Sequence, residues 1–210
     1  MKKKLLIIGA GSVGKFIAYN INQFTKSFEV LGFLDDDVTK HNSIIAGFPV
    51  IGFLDKLIEF SGKDIAIVFG IAFPSVKKKI FEQYQNLDFE FPNFIAKDVW
   101  ISEGVTLGKG CIIYPGTTIN YETVVDDFVI INMNCSLGHN CTIKSYSSLA
   151  PGVNLGGNTR IGNCVELGIG ASTIQGVIVD DFAKVGGQAM VITNIPKADI
   201  FIGIPAKSMK

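Results

Sequence analysis

Histidine is nearly absent from this chain: His41 and His139 are the two it has. Its four cysteines, Cys111, Cys135, Cys141 and Cys164, include no C-x-x-C pair. No metal site is therefore expected, and the thiols read as free cysteines in the core of a cytoplasmic protein. No apolar stretch approaches the ~18 residues of a membrane span, although 48% of the residues are hydrophobic. Neither sign of charge dominates, with 19 basic and 19 acidic residues and no basic run. Aromatic and basic residues do not interleave, so nucleic acid is not an expected partner. The opening MKKKLLIIGAGSVGKF has the lysines and apolar run of a leader peptide. The run breaks at Gly9, Lys15 interrupts the next apolar residues, and no small-residue cleavage site is evident. A strand followed by a glycine turn is the better reading. What the chain has in excess is glycine, 23 of 210 residues, against a usual share of about 7%.

The excess belongs to a repeat. Steps of six from Ile101 to Val191 meet an aliphatic residue at fifteen of sixteen positions, Thr173 being the exception. Two residues before each, from Val99 to Ala189, every residue is small or β-branched. Positions two apart share a strand face, so each hexad reads as a short strand with both residues inward, then a turn. Glycine often follows the large aliphatic, as at Gly108, Gly138, Gly156, Gly162, Gly168 and Gly186. Positive φ is the expected reason. A fixed hexad period is the signature of a β-helix, whose stacked coils bury one continuous core. Residues 93–191 are assigned to it, with 192–210 as a C-terminal cap over strand edges that would otherwise be open.

Residues 1–92 read differently, with a linker near Pro92. KLLIIGAGSVGKFIAYNI is a strand, a glycine turn and an amphipathic helix. EVLGFLDDD and DIAIVFG are further strands, and PSVKKKIFEQYQ is a second helix. The alternation predicts an α/β Rossmann-like half domain with a small parallel sheet. Gly9, Gly11 and Gly14 spell G-x-G-x-x-G, and Asp35 and Asp36 close the next strand. A nicotinamide dehydrogenase is the first thought, but ninety residues supply half of that fold and no second half follows. A nucleotide diphosphate at the helix N-terminus suits the turn better than NAD. The plain alternative is a tight strand–helix turn with no ligand. His41 lies in the polar segment DDDVTKHNS and reads as solvated.

The order of the two domains, with the segments IIGAGSVGK, GFLDDD, GFPVIGFLDKL, GHNCTIKSYSSLAPG and GIPAK, resembles one family. It is the bacterial sialic acid O-acetyltransferase and nucleotide-linked amino-sugar N-acetyltransferase group of the hexapeptide-repeat acyltransferases. The resemblance implies a left-handed β-helix with three hexads per coil. It also implies acetyl-CoA as donor, a nucleotide-linked amino sugar as acceptor, and a homotrimer with active sites between chains. The donor groove maps to Ser148, Ile169 and Gly187, with Gly157 and Gly170 along its approach. The sugar nucleotide maps to Gly11, Ser12, Val13, Asp35, Asp36 and Gly70. O-acetylation of a sialic acid, and a non-catalytic sugar-nucleotide-binding scaffold, are the alternatives.

Acetyl transfer from a thioester needs a base for the nucleophile's proton. His139 stands in the turn after Gly138, outside the apolar register, and the resemblance places the catalytic histidine there. One coil earlier the equivalent residue is Tyr121, and one coil later it is Gly157, which leaves space. Some relatives carry a carboxylate next to the histidine; here Asn140 stands in its place, able to hydrogen-bond but uncharged. Glu122, one coil below Asn140, is a second candidate support. Where some relatives have another histidine this chain has Ser148, and Gly70 is followed by Ile71 and Ala72 rather than polar residues.

Overall fold

The computed structural model describes residues 2–196 and 198–209. The chain divides into two compact units, Met1–Phe94 and Ile95–Lys210.

The first unit is built on strand β1 (Lys3–Ile8), whose last four residues are fully buried. A continuous apolar run of that kind belongs to a strand covered on both faces. Its parallel neighbours are β2 (Phe28–Leu34) and β5 (Ile65–Phe69). The sheet order is β3-β4-β2-β1-β5, where β3 is Ile44–Ile45 and β4 is Phe48–Gly52. This β3–β4 hairpin adds to the strands expected from sequence. Its turn residues Ala46 and Gly47 have φ of 50° and 84°, which suits a tight two-residue connection. An alanine there is a weak signal, because side chains disfavour that backbone. Helix α1 (Ser12–Tyr19) follows β1, and a short α2 (Leu57–Phe60) precedes β5. Helix α3 (Pro74–Tyr84) opens on proline at its first turn, where the missing N–H has no partner to lose. Gly9, Asp35 and Gly70 all follow the carboxyl ends of neighbouring parallel strands, where α/β sheets bind ligands.

The second unit is the repeat. Its strands form three sheets of parallel pairs, each residue opposite the one eighteen positions on, as in Thr118↔Ser136, Val124↔Thr142 and Ile130↔Ser148. One face carries Trp100–Ile101, Thr118–Ile119, Ser136–Leu137, Asn154–Leu155, Ser172–Thr173 and Met190–Val191. Both predicted inward registers fill a single core, from Cys111 and Ile113 to Ala189 and Val191. Thr173, the break in the aliphatic register, is buried, and its Oγ1 lies 2.9 Å from Thr159 Oγ1 and accepts the Gly156 N–H at 3.1 Å.

The small register has a polar reason as well as a steric one. Thr117, Thr123 and Ser147 donate to the carbonyls of Asn132, Gly138 and Gly162 at 2.9, 3.0 and 2.7 Å. Cys111, Cys135 and Cys141 approach the carbonyls of Asp126, Ala150 and Gly156 in the same fifteen-residue relation, at 3.1–3.3 Å. A short hydroxyl or thiol thus covers a corner carbonyl inside an apolar core. Burial pushes the Cys135 thiol up to about 11 and raises that of Cys141. All four cysteines are buried thiols outside any disulfide, and a protonated buried thiol is a poor nucleophile.

The expectation about glycine needs correction. Positive φ falls three residues after the large aliphatic, at every sixth residue from Gly104 to Gln188, and nine of those fifteen positions are not glycine. The glycines that directly follow the aliphatic do not have it. Gly138 shows what they are for: a Cβ there would lie 2.6 Å from the Gly157 N of the next coil. These positions sit under backbone, and glycine lets the coils close to hydrogen-bonding distance.

After Val191 the chain pairs Ile200–Ile202 parallel to Lys184–Val185, and Lys207–Ser208 folds back antiparallel on it. Lys197 and Lys210, within the expected cap, lie outside the described residues.

Candidate active site

In the first unit a cleft of about 320 Å³ opens at the strand ends. It collects five of the six residues expected for the nucleotide: Gly11, Ser12, Asp35, Asp36 and Gly70. The sixth, Val13, is buried and does not line it. The glycines divide by cause. A Cβ on Gly14 would overlap the Gly9 carbonyl oxygen, and one on Gly70 would stand 2.6 Å from the Gly14 Cα. Packing of strand against helix therefore accounts for them. Gly11 is different, since a Cβ there would meet nothing within 4 Å. Gly11 is also the N-cap of α1, which has no side-chain cap and no acid in its first turn. Bare backbone facing open space at a helix N-terminus suits an anion.

The two aspartates have different work. Asp35 accepts the Ala10 and Asp37 N–H groups at 2.7 and 2.9 Å and pairs with Lys40 at 3.0 Å. Burial alone would raise its carboxyl, but these bonds and the Lys40 charge hold it below the usual carboxylate range. Asp35 thereby ties the glycine turn to the end of β2. Asp36 is exposed and accepts the Leu54 N–H at 3.0 Å. His41, expected to be solvated, is held: its Nε2 lies 2.7 Å from the Asp35 carbonyl and its ring meets Phe53 edge-on. Sequence reading missed Lys40, Leu54 and Phe73 as cleft residues. Phe73 is 64% exposed ahead of Pro74, and an aromatic left in solvent beside a helix start was the available signal.

In the second unit His139 and Asn140 form the two-residue corner after strand Ser136–Leu137. The half-buried imidazole is layered between coils. Below it the Tyr121 ring stacks at 5.3 Å and 11°. Above it lies Gly157, which brings no side chain to the ring; a Cβ there would lie 2.6 Å from His139 Nε2. His139 Nδ1 is 2.8 Å from Asn140 Oδ1, and Asn140 Nδ2 donates to Glu122 Oε2 at 2.5 Å. Both expected supports thus touch, in series rather than as alternatives. The residues expected for the donor fall in two places. Gly157 stacks on His139, whereas Ile169–Gly170 and Gly187 form corners on the other side of the face carrying Ser136–Leu137. Ser148 lies on the next face, and Ile169 is 63% exposed. Among the described residues no group of three or more His, Cys, Asp or Glu side chains is placed to hold a metal ion.

Known proteins match this arrangement. The PglD N-terminal domain family matches residues 4–84. GDP-perosamine N-acetyltransferase of Escherichia coli O157:H7 is 28% identical over 97% of this chain and 95% of its own length. The acetyltransferase domain of PglB from Neisseria gonorrhoeae FA1090 superposes with a TM-score of 0.92 at 30% identity, covering 99% of this chain and 100% of that one. The chain belongs to the hexapeptide-repeat, nucleotide-linked amino-sugar N-acetyltransferases. A histidine-to-asparagine variant of perosamine N-acetyltransferase from Caulobacter crescentus, solved with CoA and GDP-perosamine, has a TM-score of 0.91 at 25% identity, covering 99% and 97% of the two chains. The chain spans about a third of the UDP-3-O-acylglucosamine N-acyltransferase of Caulobacter sp. (strain K31), which it matches at 27% identity over 53% of its own length.

For a member of this family the open ring face above His139 has a direct consequence. Gly157→Ala adds one methyl without backbone strain, but 2.6 Å from Nε2, closer than van der Waals contact, so the imidazole must give way. Acetyl-transfer kcat/KM is expected to fall at least about 10-fold while the melting temperature moves by only a few degrees. Steady-state kinetics beside a melting curve checks this, and wild-type kinetics in the variant would show that the space is not used.

Proposed function

We propose that the chain moves an acetyl group from acetyl-CoA to the amino group of a nucleotide-linked amino sugar, with His139 as general base. The observation that carries the reading is the His139 corner. It presents one ring nitrogen, Nε2, to space kept clear by Gly157, while the other is engaged by Asn140. The N. gonorrhoeae PglB domain solved with acetyl coenzyme A, and the C. crescentus enzyme solved with CoA and GDP-perosamine, support the donor and the acceptor class.

The step balances without a further reagent. The acceptor amine attacks the thioester carbonyl carbon, forming the C–N bond as His139 takes the amine's proton. The tetrahedral intermediate collapses, the C–S bond breaks, and the departing CoA sulfur is protonated to the thiol. The acceptor's diphosphate is assigned to the N-terminus of α1, with Gly11 and Ser12 as backbone donors and Asp36 as acceptor for the nucleoside. Ser148, Ile169, Gly170 and Gly187 are assigned to the pantetheine arm. Because those corners lie across a face from His139 within one chain, a shared site between copies in a homotrimer is the assembly that completes it. Nucleotide sugars and acetyl-CoA are made and used in the cytoplasm, which is where we place the reaction. No helix among the described residues is long and apolar enough to cross a membrane.

His139→Ala is expected to lower kcat by about 10²–10⁴-fold and to change stability by under about 1 kcal/mol, as for a partly exposed corner. A thiol-release assay with acetyl-CoA reads the first and a denaturant titration the second. Turnover within a few-fold of wild type removes His139 from the mechanism. For the first unit, Gly11→Ala should weaken nucleotide diphosphates (UDP, dTDP or GDP) by at least about 10-fold in calorimetry, because the methyl enters space that only a ligand fills. Binding of acetyl-CoA should be unchanged; the reverse pattern would exchange the roles of the two units. Light scattering should give about three times the chain mass of 22.7 kDa. A fully active monomer would refute the shared site.

A further inference from the structure

The corner column that carries His139 contains one residue that is neither glycine nor asparagine. Its left-handed positions are Gly104, Glu122, Asn140, Asn158 and Gly176. Glycine has no Cβ to clash there, and asparagine tolerates the conformation through local hydrogen bonding. Glutamate has neither advantage, yet Glu122 takes φ of 54°. The coil imposes the same backbone on Phe128, Tyr146, Cys164, Phe182 and Gln188 in the other corner columns, so what sets Glu122 apart is the partner of its side chain. The exposed Glu122 carboxylate reaches Asn140 Nδ2 at 2.5 Å, and Asn140 Oδ1 lies 2.8 Å from His139 Nδ1.

The chemistry of these three groups fixes the direction of every bond. An ionised carboxylate only accepts, so Asn140 must turn its NH2 toward Glu122. Its carbonyl oxygen then faces the imidazole, and it too only accepts. A neutral His139 must therefore carry its proton on Nδ1, which leaves the lone pair on Nε2. Nε2 is the ring nitrogen nearest the position that a Gly157 side chain would take. With an amide at residue 140 and no carboxylate behind it, either amide orientation would satisfy the ring, and either tautomer would follow.

We infer that Glu122 is a positioning residue that acts through Asn140 to lock His139 in the Nδ1–H tautomer, with Nε2 free to take the acceptor's proton. The inference rests on the reading of His139 as the base. Glu122 touches no reacting atom. It restores, one coil away and through an amide, the carboxylate that does not adjoin the histidine in this chain. When His139 gains a proton, Nδ1 keeps the same bond and no rearrangement is needed.

The test compares full-length wild type with E122Q, N140D and N140D/E122Q, and with H139A. A glutamine can offer either end of its amide to Asn140, so E122Q removes the directionality while keeping the size. Expected for E122Q is a fall in kcat of about 10–100-fold, as for loss of an orienting outer partner, with KM for donor and acceptor within about 2-fold. Nitrogen-15 NMR of labelled histidine should show a single Nδ1–H form of His139 in wild type and a mixture of tautomers in E122Q. In N140D/E122Q, the new carboxylate accepts directly from Nδ1–H and the new amide donates to it, so kcat and the single tautomer should return to within a few-fold of wild type. A role in folding alone would not give that rescue. An E122Q enzyme with wild-type kcat and one tautomer, beside an inactive H139A, overturns the relay and leaves the base standing. An H139A enzyme with wild-type turnover overturns the base, while the tautomer spectrum still reads whether Glu122 orients the ring.

Discussion

Everything in the second unit depends on one hydrogen-bonding relation between coils. The N–H of a residue reaches the carbonyl seventeen positions later, as in Ser136 to Val153 at 2.9 Å and Gly138 to Leu155 at 2.9 Å. Each coil is thus a template for the next, and the period cannot vary. One inserted residue would turn large aliphatics out and polar residues in. The core from Ile113 to Val191 exists because the period holds. The columns exist for the same reason, and the site is one of them: Tyr121, His139 and Gly157 lie one above another because they are eighteen apart.

A column also explains how a chain poor in histidine can hold an imidazole in a defined orientation. The Tyr121 ring below fixes the plane of the imidazole, and glycine above leaves its upper face open. The neighbouring column of left-handed corners supplies Glu122 and Asn140. Corner backbone is rigid because it is bonded above and below, as Asn140 N–H is to Tyr121 and Asn158 N–H to His139 at 3.0 and 2.8 Å. Side chains on such a scaffold have little freedom left to lose when a ligand binds.

The first unit obtains precision by a different route, the removal of side chains. Gly9, Gly14 and Gly70 bring two strand ends and a helix start into backbone contact, with Gly14 N–H to Gly70 O at 3.2 Å. Asp35 then fastens the turn through Ala10. Those residues would be required in a protein that bound nothing. Gly11 is the part of the motif that packing leaves unexplained, and it marks the cleft more sharply than the whole glycine motif does.

The sequence by itself determined the β-helix and its two inward registers, because a strict period of six buries both apolar residues only when coils stack; three hexads per coil was implied by the family resemblance and shown by the eighteen-residue pairing. It also determined the parallel sheet of the first unit and the isolation of His139 outside the apolar register. It did not determine why glycine follows the large aliphatic. Positive φ and close approach of backbone both select glycine, and only coordinates tell Gly138 from Gly152. The β3–β4 hairpin was hidden by an alanine in a left-handed turn. The direction of the His139–Asn140–Glu122 series also needed tertiary structure. A spacing of eighteen places two residues in one column, but which side chain reaches which atom depends on rotamers and on the corner's φ, and neither is written in the spacing.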